Sequence, residues 1–332
     1  MKSPGFWWKK RSLRGALLSP LSLITKSIAD GRLKEGERSN IPVICIGNFV
    51  VGGAGKTPVA LAFCDWFLKQ GKSAVFLTRG YGGRLKGPHQ VVEADTAKDV
   101  GDEPLLLCQK APVVVAKDKR AGVRFIEDSL DADIIIMDDG FQSGQVKPHI
   151  SVVVMDDGRG VGNGHVFPAG PLRAGLDKQI EKADVLLILS GDRDSAPSTQ
   201  KVEKAFNDSG KPVFKAKTKL VIDEGLKAGP LVAYCGIGHP QKFFDAIDAA
   251  GLEMALGCPF DDHQPYGKAD AKNLMTLAKR FNAKLVTTEK DYARMKGVEG
   301  TVAKLREQSH AIPLKLDFEN PDEMGNSLTS SL

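Results

Sequence analysis

The apolar positions of the chain gather in short runs that do not alternate with polar ones. Six of them, "IPVICIGNF" from residue 41, "SAVFLTRGYGG" from 73, "PVVVAKD" from 112, "ADIIIMDDG" from 132, "ISVVVMDD" from 150 and "ADVLLILS" from 183, are rich in β-branched residues and separated by helical or loop stretches. Such runs suit parallel strands buried on both faces, since a strand with one wet face would alternate. "TPVALAFCDWFLKQGK" instead repeats its apolar residues at helical spacing and stops at Gly71. The combination predicts an α/β fold built on a doubly wound sheet.

The texture changes after the polar, turn-rich "SGDRDSAPSTQ". "KPVFKAKTKLVI" and "AIPLKLDF" alternate as exposed strands do, and they bracket a second α/β set: "LVAYCGIG", "PQKFFDAIDAAG", "KADAKNLMTLAKRF" and "KLVTTEKD". The predicted organisation is an N-terminal segment over 1–38 and a sheet domain over 39–210. A two-stranded β ribbon made of 211–222 and 311–318 joins it to a smaller α/β domain over 223–310, with a hinge at the ribbon.

Composition narrows the class. Hydrophobic content of 42 % and charged content of 26 % are those of a folded globular chain, and a net charge of +5 is too mild to argue for a nucleic-acid partner. Five scattered cysteines without a C-x-x-C pair fit neither a disulfide framework nor a zinc site, and no apolar run reaches the length of a membrane span. The N-terminus departs from this plain picture. Phe6, Trp7 and Trp8 stand beside Lys9, Lys10, Arg11 and Arg14, ahead of an apolar stretch broken by Pro20. Aromatic rings settle at the headgroup level and basic residues meet anionic lipid, so residues 1–30 read as an interfacial segment for an anionic membrane surface. A helix packed on its own domain is the competing reading.

"FVVGGAGKTP" follows the first predicted strand and opens the first helix. Here Val50 stands where the usual phosphate loop, G-x-x-x-x-G-K-[ST], has its first glycine. The stretch Val50, Val51, Gly52, Gly53, Ala54, Gly55, Lys56 and Thr57 can still hold a nucleotide. The later glycines aim backbone N–H groups at phosphate oxygens, Lys56 adds charge for the β and γ phosphates, and Thr57 offers a hydroxyl to Mg²⁺. ATP and Mg²⁺ are therefore the expected cofactors. Partition-type ATPases carry a lysine where Val51 stands, which argues against that group. Asp138 and Asp139 end a buried run, the position from which a Walker B carboxylate reaches the magnesium shell, although two aspartates after a strand also read as a plain loop start.

Two further loops bear acid–base chemistry: "VGDEPLLL" with Asp102 and Glu103, and "CPFDDHQPY" with Asp261, Asp262 and His263. Phosphoryl transfer to an alcohol needs a proton acceptor, which a carboxylate linked to a histidine supplies. Asp102 suits ordinary helix capping equally well, and spacing alone does not bring the two loops together. Arg79, Arg120 and Arg173 are candidates for phosphate or substrate contact, though each alone also reads as a surface arginine.

The set "GNFVVGGAGKTP", "TRGYGG", "VGDEP", "DDGFQ", "GNG…PAGPLR", "YCGIG…FF", "DDHQPY" and "TTEKDYAR" resembles, in order, the tetraacyldisaccharide 4′-kinase family of Gram-negative bacteria. The resemblance implies a peripheral enzyme at the cytoplasmic face of the inner membrane. With MgATP, such an enzyme phosphorylates the 4′-hydroxyl of a tetraacyl glucosamine disaccharide 1-phosphate in lipid A biosynthesis. It also implies that Lys56 and Thr57 hold the ATP phosphates and metal with Asp138 and Asp139. Asp102 would act as base oriented by His263, and Arg120 and Arg173 would contact phosphate or disaccharide. The chain departs from the family pattern at Ala54, Ser143, His239 and Ala174; the last replaces a glutamate. A membrane-bound P-loop ATPase switch and a P-loop kinase of a soluble small molecule are the alternatives.

Overall fold

The computed structural model describes residues 4–9, 12–33, 36–53, 55–191, 194–330 and 332. A nine-stranded sheet has the spatial order Leu314–Phe318, Val213–Leu220, Val185–Ser190, Ile150–Asp156, Val43–Asn48, Ile134–Asp138, Ala74–Thr78, Val113–Val115, His89–Gln90. The strands from Val213–Leu220 through Val113–Val115 run parallel, and an antiparallel strand closes each edge. Every residue of Val43–Asn48 and of Ile134–Asp138 is buried, as unalternated runs require. One core layer forms around Ile44, Ile136, Val152 and the inward face of the Lys56–Lys69 helix, with Val59, Phe63 and Phe67; the other forms around Val43, Ile135 and Phe206. The doubly wound expectation holds.

A second sheet of four parallel strands has the order Met254–Pro259, Leu231–Cys235, Lys284–Thr288, Ser309–Ile312. Several details differ from the sequence reading. The segment 311–318, read as one ribbon strand, is divided at Pro313: Ser309–Ile312 completes the small sheet and Leu314–Phe318 pairs antiparallel with Val213–Leu220. Proline has no N–H to give a ladder, so the chain changes sheets there. The other ribbon strand is only half free, since Val213–Lys217 also pairs with Leu186–Ser190 of the large sheet. Beyond the ribbon, Pro321–Thr329 forms a helix that was not read from the sequence. It returns Met324 and Leu328 to the core layer of Phe63 and Phe67.

Near the N-terminus, a 3₁₀ turn at Gly5–Trp8 leads to a helix, Leu13–Arg32, that runs through Pro20 instead of breaking there. Ser12 caps it by accepting from the Gly15 N–H. The helix docks through small and polar residues. Gly15 and Ser22 are buried, Ser22 and Thr25 donate to the carbonyls of Val166 and Phe167, and Asp30 accepts from the Gly175 N–H at 2.7 Å. Trp7 is buried and donates from Nε1 to the Pro168 carbonyl at 3.0 Å. The leucine face points the other way. Leu13, Leu17 and Leu23 are 87, 79 and 70 % exposed, and Leu21, Ile24 and Ile28 lie more than half exposed beside them. The helix thus packs on its domain, as the competing reading has it, and still presents an apolar stripe to the outside. Among the described residues no helix is long and apolar enough to cross a membrane.

Candidate active site

The phosphate loop leaves the C-terminal end of the central strand, the position where open α/β sheets bind ligands. Val50 sits there because of its backbone. It forms an isolated antiparallel bridge with Leu172, and Val51 N–H donates to the Pro171 carbonyl at 2.8 Å. An extended residue needs no glycine and favours β-branching. The left-handed positions come later, at Gly52 (φ 108°) and Gly55 (φ 83°), and a Cβ on Gly55 would meet Leu189 Cδ1 at 2.4 Å. Gly55 caps the Lys56–Lys69 helix, so the first free N–H groups of that helix face the loop mouth. Buried Asn48 braces the turn, donating to the carbonyls of Val50 (2.7 Å) and Gly52 (3.2 Å). Ala54, included in the expected nucleotide cradle, lies outside the described residues.

Lys56 Nζ lies 3.4 Å from Asn48 Oδ1 and 3.8 Å from Asp139 Oδ1. Asp139 has φ 55°, a left-handed conformation unusual for a residue with a side chain, and it is gripped by Arg173 at 2.7 and 3.3 Å. Burial raises the Asp139 carboxyl, but Lys56 and Arg173 outweigh it and hold the group down to about 2. Arg173 also donates to the Val50 carbonyl at 2.9 Å, tying the "GPLR" segment to the loop. Ala174, which follows it, is buried, and its carbonyl accepts from Gln179 at 2.9 Å.

Asp138 is fully enclosed. Thr57 Oγ1 donates to its Oδ2 at 3.2 Å, while its Oδ1 has no partner. Burial, with Glu103 and Asp139 nearby, pushes this carboxyl well above the usual range. Among the described residues no group of three or more His, Cys, Asp or Glu forms a metal cage. Mg²⁺ at nucleotide sites takes one or two protein ligands and completes its shell with phosphates and water, so Thr57 and the unpaired Asp138 oxygen fit it.

The other wall comes from the small domain. His263, with φ 59°, places Nδ1 at 3.1 and 3.2 Å from the two oxygens of Asp102. Asp102 begins the Asp102–Leu107 helix after Gly101 (φ 94°), where a Cβ would strike the Tyr81 carbonyl at 2.4 Å. Arg294, 6 % exposed, donates to Asp102 Oδ2 through Nη2 (2.7 Å) and Nε (3.1 Å). Burial raises Asp102, yet His263, Lys290 and Arg294 together hold it far below the usual carboxylate range. Lys290 Nζ lies 3.0 Å from Glu103 Oε1 and 3.3 Å from His263 Nε2. The two domains meet again at the loop mouth, where a Cβ on Gly238 would sit 3.7 Å from Gly53 N and 3.3 Å from Asp262 Oδ2. A cavity of about 40 Å³ remains between Trp8, Val51, Gly52, Arg159 and Asp262. A larger recess of about 540 Å³ opens at the far end of the small sheet, near Pro230, Asn282 and His310, and contains none of these groups.

Two arginines from the expected set lie elsewhere. Arg120 pairs with Asp118 at 3.2 Å and Glu37 at 3.8 Å, and Arg79 is exposed at the end of the Ala74–Thr78 strand. The basic residue of "DKRAG" that turns inward is Lys119. It is 3 % exposed, its Nζ has no hydrogen-bond partner, and burial lowers its pKa while Cys45, Asp139 and Asp138 act in the opposite sense. Lys119, Asn48 and Arg294 are the polar residues the sequence reading missed. Arg294 had one usable signal: it stands four residues after Lys290, hence on the same helical face.

The chain matches a family model described as tetraacyldisaccharide-1-P 4′-kinase over residues 14–332. It is 42 % identical over 325 residues to a tetraacyldisaccharide 4′-kinase of Bradyrhizobium sp. (strain ORS 278), covering 96 % of this chain and 95 % of that one. It is 44 % identical over 301 residues to one of Rhodopseudomonas palustris (strain BisB18), covering 89 % and 86 %. Among solved structures it is similar to the "apo" form of LpxK from Aquifex aeolicus in complex with ATP. That match has a TM-score of 0.71 at 25 % identity and covers 96 % of this chain and 99 % of that one.

Proposed function

The chain belongs to the tetraacyldisaccharide-1-phosphate 4′-kinase family, and from that premise we propose that it transfers the γ-phosphoryl group of ATP to the 4′-hydroxyl of a tetraacyl glucosamine disaccharide 1-phosphate, a step of lipid A biosynthesis. The observation that carries the reading is the meeting of a phosphate loop from one domain with an Asp102–His263 pair that spans both.

The residues divide the work. The backbone of Gly52, Gly53 and Gly55 and the Lys56 ammonium bind the β and γ phosphates, and Thr57 with Asp138 would hold Mg²⁺, which supplies charge neutralisation across those phosphates. Arg173 positions Asp139 and the loop together. The charges favour the reverse of the expected acid–base roles. An Asp102 carboxylate clamped by Arg294 is a weak proton acceptor, so Asp102 orients the ring and His263 takes the proton. As the 4′-oxygen bonds to the γ-phosphorus, the bond from that phosphorus to the ADP oxygen breaks and the hydroxyl proton passes to Nε2. Such a base contributes about 10²–10⁴ to the rate.

The exposed face of the Leu13–Arg32 helix supports attachment to an anionic membrane surface, which for this acceptor is the cytoplasmic face of the inner membrane. An acceptor with several acyl chains stays in the bilayer, each methylene contributing about 0.8 kcal/mol, so the enzyme goes to it. The test is transfer of radiolabel from the γ-phosphate of ATP to the acylated disaccharide in mixed micelles. Label recovered on the lipid is the expected result; label recovered only as free phosphate overturns the reading.

A further inference from the structure

The segment "TTEKDYAR" holds charge that the transfer step does not yet use. Thr288 caps the Glu289–Arg294 helix, accepting from the Asp291 N–H at 3.1 Å and donating to Asp291 Oδ2 at 2.6 Å. Asp291 is fully buried, accepts from Tyr266 at 2.8 Å and pairs with Arg294. This anchoring turns the face shared by Lys290 and Arg294 toward the Asp102–Leu107 helix, so the two cations reach the neighbouring carboxylates Glu103 and Asp102.

Hydrogen-bond roles follow from chemistry. An ionised carboxylate only accepts, so the nitrogen facing Asp102 carries the proton; an ammonium only donates, so the nitrogen facing Lys290 presents its lone pair. A neutral imidazole protonated at Nδ1 satisfies both neighbours, and no other form does. We propose that Lys290 is a positioning residue for the transfer. It holds His263 neutral with the lone pair on Nε2, and it gives up that atom to the incoming hydroxyl while remaining on Glu103. The inference rests on His263 being the proton acceptor, as argued above. The charged and titratable groups around the ring are Asp102 and Glu103 from the large domain and Lys290, Arg294, Asp291 and Asp262 from the small one. Asp262 Oδ1 lies 3.7 Å from Nε2, and the Tyr81 ring lies edge-on at 5.2 Å.

The first measurement is nitrogen NMR of histidine-labelled, unsubstituted protein without acceptor, which depends on neither the lipid nor the folding of a variant. Nδ1 protonated and Nε2 bare at neutral pH is the expected result; a proton on Nε2 overturns the proposal. Lys290→Met then removes the donor at similar length. Without the neighbouring cation the ring takes up its second proton more readily, so the acidic limb of the kcat profile moves up by about one pH unit. At neutral pH kcat falls about tenfold, with KM for ATP within about twofold. Lys290→Arg, which keeps the charge, returns the limb toward its original position. A limb that stays in place while kcat falls would show a structural role only and overturn the proposal. Absence of lipid phosphorylation in the unsubstituted protein, with the expected ring state intact, would count against the acceptor and leave the ring assignment standing.

Discussion

The two walls of the site are built by different means. On the large-domain side the geometry is mainly backbone: a bridge at Val50, left-handed glycines at 52 and 55, and a helix start aimed at the loop mouth. The small-domain side is made of side chains: His263, Lys290 and Arg294 pair across the interface with Asp102 and Glu103 of the large domain, and Arg294 is held from its own side by Asp291. One wall exists in the isolated domain; the other is completed by docking. Nucleotide binding should therefore tolerate changes that abolish transfer.

The largest effect that tests this contrast is His263→Ala. Steady-state kinetics should show kcat reduced by about 10²–10⁴ with KM for ATP within about threefold. A parallel loss of ATP affinity would mean that the walls are not separable. Arg294→Met comes next, because it leaves Asp102 buried without its guanidinium; breaking such a pair costs about 3–5 kcal/mol, read as a lower Tm in thermal unfolding. The same pair fixes an acid limit. The folded Asp102 group lies below its unfolded value, so its stabilisation is complete above about pH 4 and is lost as pH falls through the folded value. In Arg294→Met the folded value rises, so the loss is smaller and is finished at a higher pH.

Asp138→Asn is the next smaller perturbation. It removes a buried charge whose Oδ1 has no partner, so the nucleotide-free protein should gain about 1 kcal/mol of stability while transfer is lost. An unchanged or lower Tm would mean that the buried carboxylate is better compensated than its contacts show. The smallest effect is expected from Val50→Gly, which writes the standard first glycine back into the loop. An extended residue paired with Leu172 gains nothing from glycine's freedom, so stability should fall by about 0.5–1 kcal/mol and ATP affinity should not improve.

The same contrast explains what could be read in advance. Buried parallel strands announce themselves as apolar runs, and a strand–glycine–lysine–helix order has few other uses, so the large sheet and the loop were legible from residues 41 to 190. Met254–Pro259 was not read as a strand, since Gly257 and Pro259 dilute its pattern. The 311–318 segment was read as continuous because alternation on either side of Pro313 does not reveal a change of sheet. The sequence reading names Arg120 and does not consider its neighbour Lys119, because only the helix phase after Asp118 decides which of two adjacent cations faces inward. Arg294 stayed hidden because the burial of its charge is decided by a carboxylate 192 positions earlier in the chain.

The loop over 163–175 receives the N-terminal helix on one side and, through Pro171, Leu172 and Arg173, grips the nucleotide cradle on the other. On the membrane reading proposed above, anchor and cradle are held by one and the same loop. The height at which phosphate is delivered above the lipid surface is then a built-in dimension of the molecule. A sugar headgroup that projects too far or too little would be rejected by altitude alone, before any contact tested its chemistry.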